Sequence, residues 1–170
     1  MNRLITIGPS PYVEKARWAL QHHGIPFVEE SHVPIFHWSA TRPRGRRTVP
    51  LLITASGEQV GESSDIVAWA DAQRPEAPPL LPPDLREDVA WMDQKFGTHG
   101  RRLAYHVLFE APHTFQVLFA GAPAWQLRGL HLAYPLWRRL VGAGLDVTPK
   151  RAAASISKLR ALFEEVGQRL

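Results

Sequence analysis

Cysteine is absent from the 170-residue chain. Disulfides, thiolate metal sites and a cysteine nucleophile are therefore excluded. Eight histidines are scattered along it. No HExxH pattern puts two of them on one helix face, so no metal site is expected. His22 and His23 are neighbours and read as the wet end of a helix. No run approaches the apolar length of a membrane span. The apolar stretch of MNRLITIGPSP is too short for the core of a secretory signal. A cytoplasmic protein with no membrane partner is the expectation. Internal repeats and low-complexity tracts are also missing.

Hydrophobic residues make up 45 % of the chain, enough to bury a core. Net charge is +4 and the pI is about 9.8, which favours anionic partners in general. The densest basic run is RPRGRR, residues 42–47. It reads as a solvated loop, as a contact for a small anion, or as a nucleic-acid contact. The last is disfavoured, because the loop lacks the interleaved aromatics of a single-strand groove.

Residues 4–8, LITIG, form a short apolar run ending in glycine and read as a buried strand. Helical spacing begins at Pro11, with Val13, Ala16 and Leu20 on one face. Pro11 suits a first helical position, and Gly24 suits a stop. PFVEE, residues 26–30, reads as a second strand. Residues 31–49 read as a loop with at most one helical turn. Residues 49–61 read as two strands of a hairpin. A helix then opens at ESSDI, capped by Ser63 or Ser64, with Ile66, Trp69 and Ala70 facing inward. The first two strands should be parallel and the last two antiparallel. This is an α/β thioredoxin-like domain over residues 1–74. RPEAPPLLPP supplies a linker at 75–83.

From residue 84 the chain reads as all-helical. Asp84 and Glu87 suggest a capping box, followed by Val89, Met92, Phe96 and Leu103 at helical spacing. A break falls near 111, and a second helical stretch runs over about 114–141 with proline breaks. The last helix starts at Thr148-Pro149. Its apolar face is Ala152, Ile156, Leu159, Phe163, Val166 and Leu170.

Ser10 poses the central question. A serine before proline at a helix start is an ordinary N-cap. The same position also offers a hydroxyl to an anion at the positive end of the helix. Three stretches in register bear on the choice. SPYVEKARWAL, TVPLL and ESSDI resemble, in order and spacing, the first helix, the Val-Pro turn and the Glu-Ser pair of a cytosolic glutathione transferase of serine type. The resemblance covers residues 3–73. It implies glutathione as co-substrate, no metal, and Ser10 donating to its sulfur, with Tyr12 as the competing hydroxyl. It implies a cis Pro50, with the Val49 backbone offered to the cysteinyl part of glutathione. It implies that Glu62 and Ser63 hold the γ-glutamyl end, and that Arg46 and Arg47 reach the glycine carboxylate, with His37 and Trp38 along that edge. Met92, Phe96, His99 and Tyr105 are candidates for lining a second-substrate pocket. A homodimer is implied as well.

One departure weighs against turnover. Family members continue beyond the helix at 149–170, so the helical domain (84–170) reads as truncated. A transferase acting on hydrophobic electrophiles and a non-catalytic binding or interaction protein of the same fold both remain open here.

Overall fold

The structure is a computed structural model that describes residues 1–169. Its elements are β1 (Asn2–Ile7), α1 (Pro11–His22), β2 (Phe27–His32), α2 (Trp38–Thr41), β3 (Leu51–Ile53), β4 (Gln59–Gly61) and α3 (Ser63–Ala72). Then follow α4 (Arg86–Glu110), α5 (Phe115–Leu118), α6 (Ala124–Leu132), α7 (Tyr134–Gly144) and α8 (Pro149–Arg169). The sheet order is β2-β1-β3-β4. β1 and β2 are parallel, and β3 is antiparallel to both β1 and β4. This is the thioredoxin-like α/β fold followed by helices. Among the described residues no helix is long and apolar enough to cross a membrane.

The chain forms two compact units. The first comprises residues 1–86 and 116–129. The second comprises residues 87–115 and the chain from Leu130 onward.

In the first unit, Leu4 and Ile5 of β1 are fully buried, as are Val13, Ala16, Ala19 and Leu20 of α1. The i, i+3, i+4 spacing read from the sequence is thus the face that α1 buries. Gly24 takes φ +61°, a left-handed conformation that glycine adopts without steric cost, and so ends the turn after α1. His23 is not on a wet surface. It is 6 % exposed, and its Nε2 lies 2.8 Å from Asp71 Oδ1. Asp71 also accepts the backbone N–H groups of Leu80 and Leu81 at 2.9 and 3.1 Å. Burial alone would raise its pKa. The bonds from Leu80, His23 and Leu81 outweigh that and hold it below the usual carboxylate range. One side chain therefore ties the ends of α1 and α3 to the proline-rich segment.

A second tie comes from far along the chain. Gln126 of α6 is 1 % exposed. Its Oε1 accepts the Val33 N–H at 3.0 Å, and its Nε2 lies 2.9 Å from His32 Nδ1. The first contact fixes Oε1 as acceptor, so Nε2 donates and His32 Nδ1 is bare. His32 Nε2 then faces Glu30 at 3.0 Å.

Two helix starts differ from expectation. Glu62, not Ser63 or Ser64, is the N-cap of α3, and Ser63 is its first helical residue. Val67 is buried, whereas Trp69 is only half-buried. A single 3-10 turn, Pro83–Leu85, precedes α4, so Asp84 lies inside that turn rather than capping the helix.

The second unit rests on an aromatic cluster. Phe109, Phe115 and Tyr134 surround the buried Trp137, with ring centroids 5.3 to 6.1 Å from it. The expected inward faces are only partly covered. Met92 is half-exposed, and Ile156 and Phe163 of α8 are open to solvent, while Ala152 and Ser155 are buried. Leu170, expected on that face, lies outside the described residues.

Candidate functional site

Sheet register brings the three singled-out stretches together. Leu51, which opens β3, is paired with Ile5 of β1 on one side and Gly61 of β4 on the other. The residues before β3 therefore leave the sheet at the end where β1 runs on to Ser10 and β4 runs on to Glu62. Val49-Pro50, Ser10 and Glu62-Ser63 share that end although 39 positions of sequence separate Ser10 from Val49 and 52 separate it from Glu62.

 Register, not proximity in sequence, is what joins them.

Ser10 is the N-cap of α1, with extended backbone angles of φ −78° and ψ 123°. Its N–H donates to the Ile7 carbonyl at 3.0 Å, and its carbonyl accepts from the Glu14 N–H at 3.0 Å. Its hydroxyl makes no hydrogen bond to the helix it caps. The backbone thus fills the capping position while the half-buried side chain does not serve it. Tyr12 sits in the first turn and is half-buried.

The Val49-Pro50 peptide is cis. Glu62 takes φ +61° and ψ 141°, a conformation costly for a residue with a Cβ. Its carboxylate accepts from the Thr48 hydroxyl at 3.2 Å, which links the Val-Pro turn to the start of α3. Ser63 is 4 % exposed. Ser64 accepts from Lys15 Nζ at 2.8 Å, which joins the first turns of α1 and α3.

The basic loop is more ordered than a solvated run requires. Arg42 lies over the Trp38 ring, 4.1 Å from its centroid. The Arg46 N–H donates to the Thr41 carbonyl at 3.1 Å. The Arg47 carbonyl accepts from His37 Nε2 at 3.0 Å and from Trp38 Nε1 at 3.2 Å. Burial is the largest influence on His37 and pushes its pKa down, against the bond to Arg47. The imidazole is therefore neutral near pH 7, with its proton on Nε2. Sequence reading placed His37 and Trp38 at this edge but missed their shared acceptor. Only the loop's fold reveals it.

Met92, Phe96, His99 and Tyr105 belong to the second unit. Phe96 packs edge-on against Phe163 at 5.0 Å. His99 Nδ1 lies 3.2 Å from the Ser155 hydroxyl. Tyr105 packs against Phe109 and Trp137, and burial pushes its phenol up to about 12. Among the described residues no cluster of three metal-ligating side chains exists. Two clefts lie elsewhere: one within the second unit beside His106 and Arg139, the other within the first unit beside Asn2 and Arg74.

Residues 4–78 match the family described as glutathione S-transferase, N-terminal domain. No curated protein matches the chain. Solved structures do. A glutathione S-transferase of Methylobacterium radiotolerans, in complex with glutathione sulfonate, is 26 % identical with a TM-score of 0.54, over 98 % of this chain and 66 % of that one. A glutathione S-transferase of Ceriporiopsis subvermispora, in complex with glutathione, is 19 % identical with a TM-score of 0.57, over 97 % and 71 %. Glutaredoxin 2 of Salmonella typhimurium, also in complex with glutathione, is 17 % identical with a TM-score of 0.59, over 99 % and 69 %. The chain thus spans between 66 % and 71 % of the length of these three proteins. The matched domain carries all three stretches at one end of its sheet, so residues 4–78 are similar to the N-terminal domain of glutathione S-transferases.

Proposed function

We propose that the chain binds glutathione at the Ser10, Val49-Pro50, Glu62-Ser63 end of the sheet and conjugates its thiolate to a small hydrophobic electrophile. The observation that carries this reading is the Ser10 hydroxyl, which sits at a helix N-terminus and makes no capping bond. A free thiol has a pKa of about 8.5, so little thiolate exists at neutral pH. Lowering that value by about two units requires roughly 2.7 kcal/mol. A hydroxyl hydrogen bond to the anion and the helix dipole together supply energy of that order. The thiol proton passes to solvent. The sulfur then forms a bond to the electrophilic carbon as the leaving group departs, or adds to an activated double bond. Ser10 gives up no proton, so it needs no general base. Glu62 would pair with the γ-glutamyl ammonium, and the Val49 backbone with the cysteinyl amide. By family resemblance the protein acts as a cytoplasmic homodimer.

The test follows thiolate absorbance against pH with bound glutathione, in the intact protein and in Ser10→Ala. The expected result is ionisation well below the free value, with the shift lost in the variant. Equal shifts in both proteins would overturn the role of Ser10. A second reading, an interaction protein without turnover, draws on the exposed Leu132, Leu136 and Phe163 of the helical half. Glutathione bound with an unshifted thiol would favour it.

A further inference from the structure

The end of the sheet away from Ser10 carries a concavity of its own. Arg3 pairs with Ile53 there, so β1 begins and β3 ends at that edge. An open cleft of about 410 Å³ lies against it, within the first unit. Its rims are the turn after α1, the turn between β3 and β4, and the C-terminal end of α3. Asn2 holds two of these rims at once. Its Nδ2 donates to the Pro26 carbonyl at 3.0 Å, and its Oδ1 accepts the Ala55 N–H at 2.9 Å. The cleft is therefore formed before anything enters it, and its volume lies in the range of small-molecule sites.

Two side chains give the cleft its chemistry. Arg74 donates from Nε to the His23 carbonyl at 3.1 Å, and His23 is itself tied to Asp71. The guanidinium is thus anchored at one nitrogen, while its two terminal amino groups have no partner among the described residues. Trp69 lines the cleft half-buried. Its ring has no aromatic or cationic partner, and its indole N–H no acceptor, among the described residues. A large ring left at the edge of a core is burial half done, and a flat ligand completes it. Gln73 and Ser56 add an amide and a hydroxyl. No carboxylate lines the cleft among the described residues, so Arg74 is its one charge.

We infer that this cleft is a binding site for a small planar aromatic carboxylate, seated on Trp69 with its anionic group on the Arg74 fork. The planar fork of a guanidinium matches the two oxygens of a carboxylate. One cation also matches one negative charge. A phosphate monoester carries nearly two, and the second would stay uncompensated here. A neutral ring would cover Trp69 and leave Arg74 unused. The site stands apart from the glutathione reading, because it lies at the other end of the sheet and shares no residue with Ser10, Val49-Pro50 or Glu62-Ser63.

Nitrogen–proton correlation spectra of the labelled protein test this, since each of the six tryptophans gives one indole signal. Trp69→Phe identifies the signal of Trp69 by its loss. The protein is titrated with naphthoate and with naphthamide, which has the same rings and no charge. The Trp69 signal should move with naphthoate, with half-saturation below about 1 mM. The amide should bind roughly tenfold more weakly, the range of one charge-assisted hydrogen bond. Arg74→Gln should bring the two ligands to within about threefold of each other. Arg139→Gln, in the cleft of the second unit, should leave the preference intact. Trp69→Leu should weaken both ligands when followed by calorimetry. Intact protein that binds neither ligand, or both equally, overturns the inference. So does naphthoate binding that leaves the Trp69 signal still, or a preference that survives Arg74→Gln. If Arg74→Gln does not fold, the ligand pair and Trp69→Leu decide the matter, and undiminished binding to Trp69→Leu likewise overturns it.

Discussion

The two units solve burial differently. In the first, several buried polar side chains are matched across long stretches of chain, although His37 Nδ1 and Thr41 Oγ1 are buried without a partner among the described residues. Thr6 donates to Glu29, His23 meets Asp71, and Gln126 reaches Val33 and His32. In the second, only Leu108, Phe109, Phe115, Leu130, Trp137 and Ala152 are buried apolar residues among those described. Rings packed largely edge-on hold its centre, and Leu132, Leu136, Leu140 and Phe163 stay exposed. Hydrogen bonds demand one arrangement, whereas apolar contact tolerates several. The unit that carries the proposed site, with its hydroxyl, backbone edge and carboxylate, is the one with these long-range polar ties.

The sharpest way to break this contrast is Gln126→Leu. The substitution keeps the volume and strands the Val33 N–H and His32 Nδ1 in a buried site. A loss of about 2–4 kcal/mol is expected in urea unfolding, from two buried groups left without partners. A change under about 0.5 kcal/mol would mean that the first unit does not rely on its polar ties. Asp71→Asn comes next, with an expected loss of about 1–3 kcal/mol as the charge-assisted bonds weaken. Its signature is in acid. The folded pKa of Asp71 is lowered, so its contribution is present above the unfolded value of about 3.9. That contribution is lost as pH falls through the folded pKa. Stability measured from pH 6 down to pH 2 should therefore fall more steeply in the intact protein than in the variant, and parallel curves would remove Asp71 as the cause. Phe163→Ala tests the other unit. It removes one edge-on ring contact with Phe96 at an exposed position, and about 0.5–1.5 kcal/mol is expected by the same urea measurement.

Legibility in the sequence follows the same division. The succession of elements, the parallel and antiparallel pairings and the α1 face were readable from local spacing, whereas the meeting of SPYV, TVPLL and ESSDI at one end of the sheet depends on a strand register that only the fold displays. His23 was misread as wet, because its partner Asp71 lies 48 positions away and no local pattern announces it. Ser63 and Ser64 looked like caps, yet Glu62 took that place by adopting a positive φ, which composition cannot show. Residues 116–129 join the first unit with the help of Gln126, an unremarkable glutamine until the Val33 N–H is seen facing it. In the helical half, periodicity located the helices but not the depth of their faces. Val89, Met92 and Phe96 have the spacing of a core stripe and are at most half-buried.

Tyr105→Phe gives the smallest effect at neutral pH and the finest test of the second unit. Its ring packs against Phe109 and Trp137, and the variant keeps that ring. Below pH 9 the two proteins should differ by less than about 0.5 kcal/mol. The alkaline range separates them. Burial raises the Tyr105 phenol to about 12, above the ordinary value of about 10. The unfolded chain then releases this proton first, so the stabilisation is complete below about pH 10 and lost as pH rises toward 12. Intact protein should weaken through that range more than the variant does, under matched urea titrations. Acid then probes the first unit through Asp71, and alkali probes the second through Tyr105. Identical alkaline curves would show that Tyr105 is wetter than its ring contacts imply, and that the aromatic cluster is open enough to admit solvent.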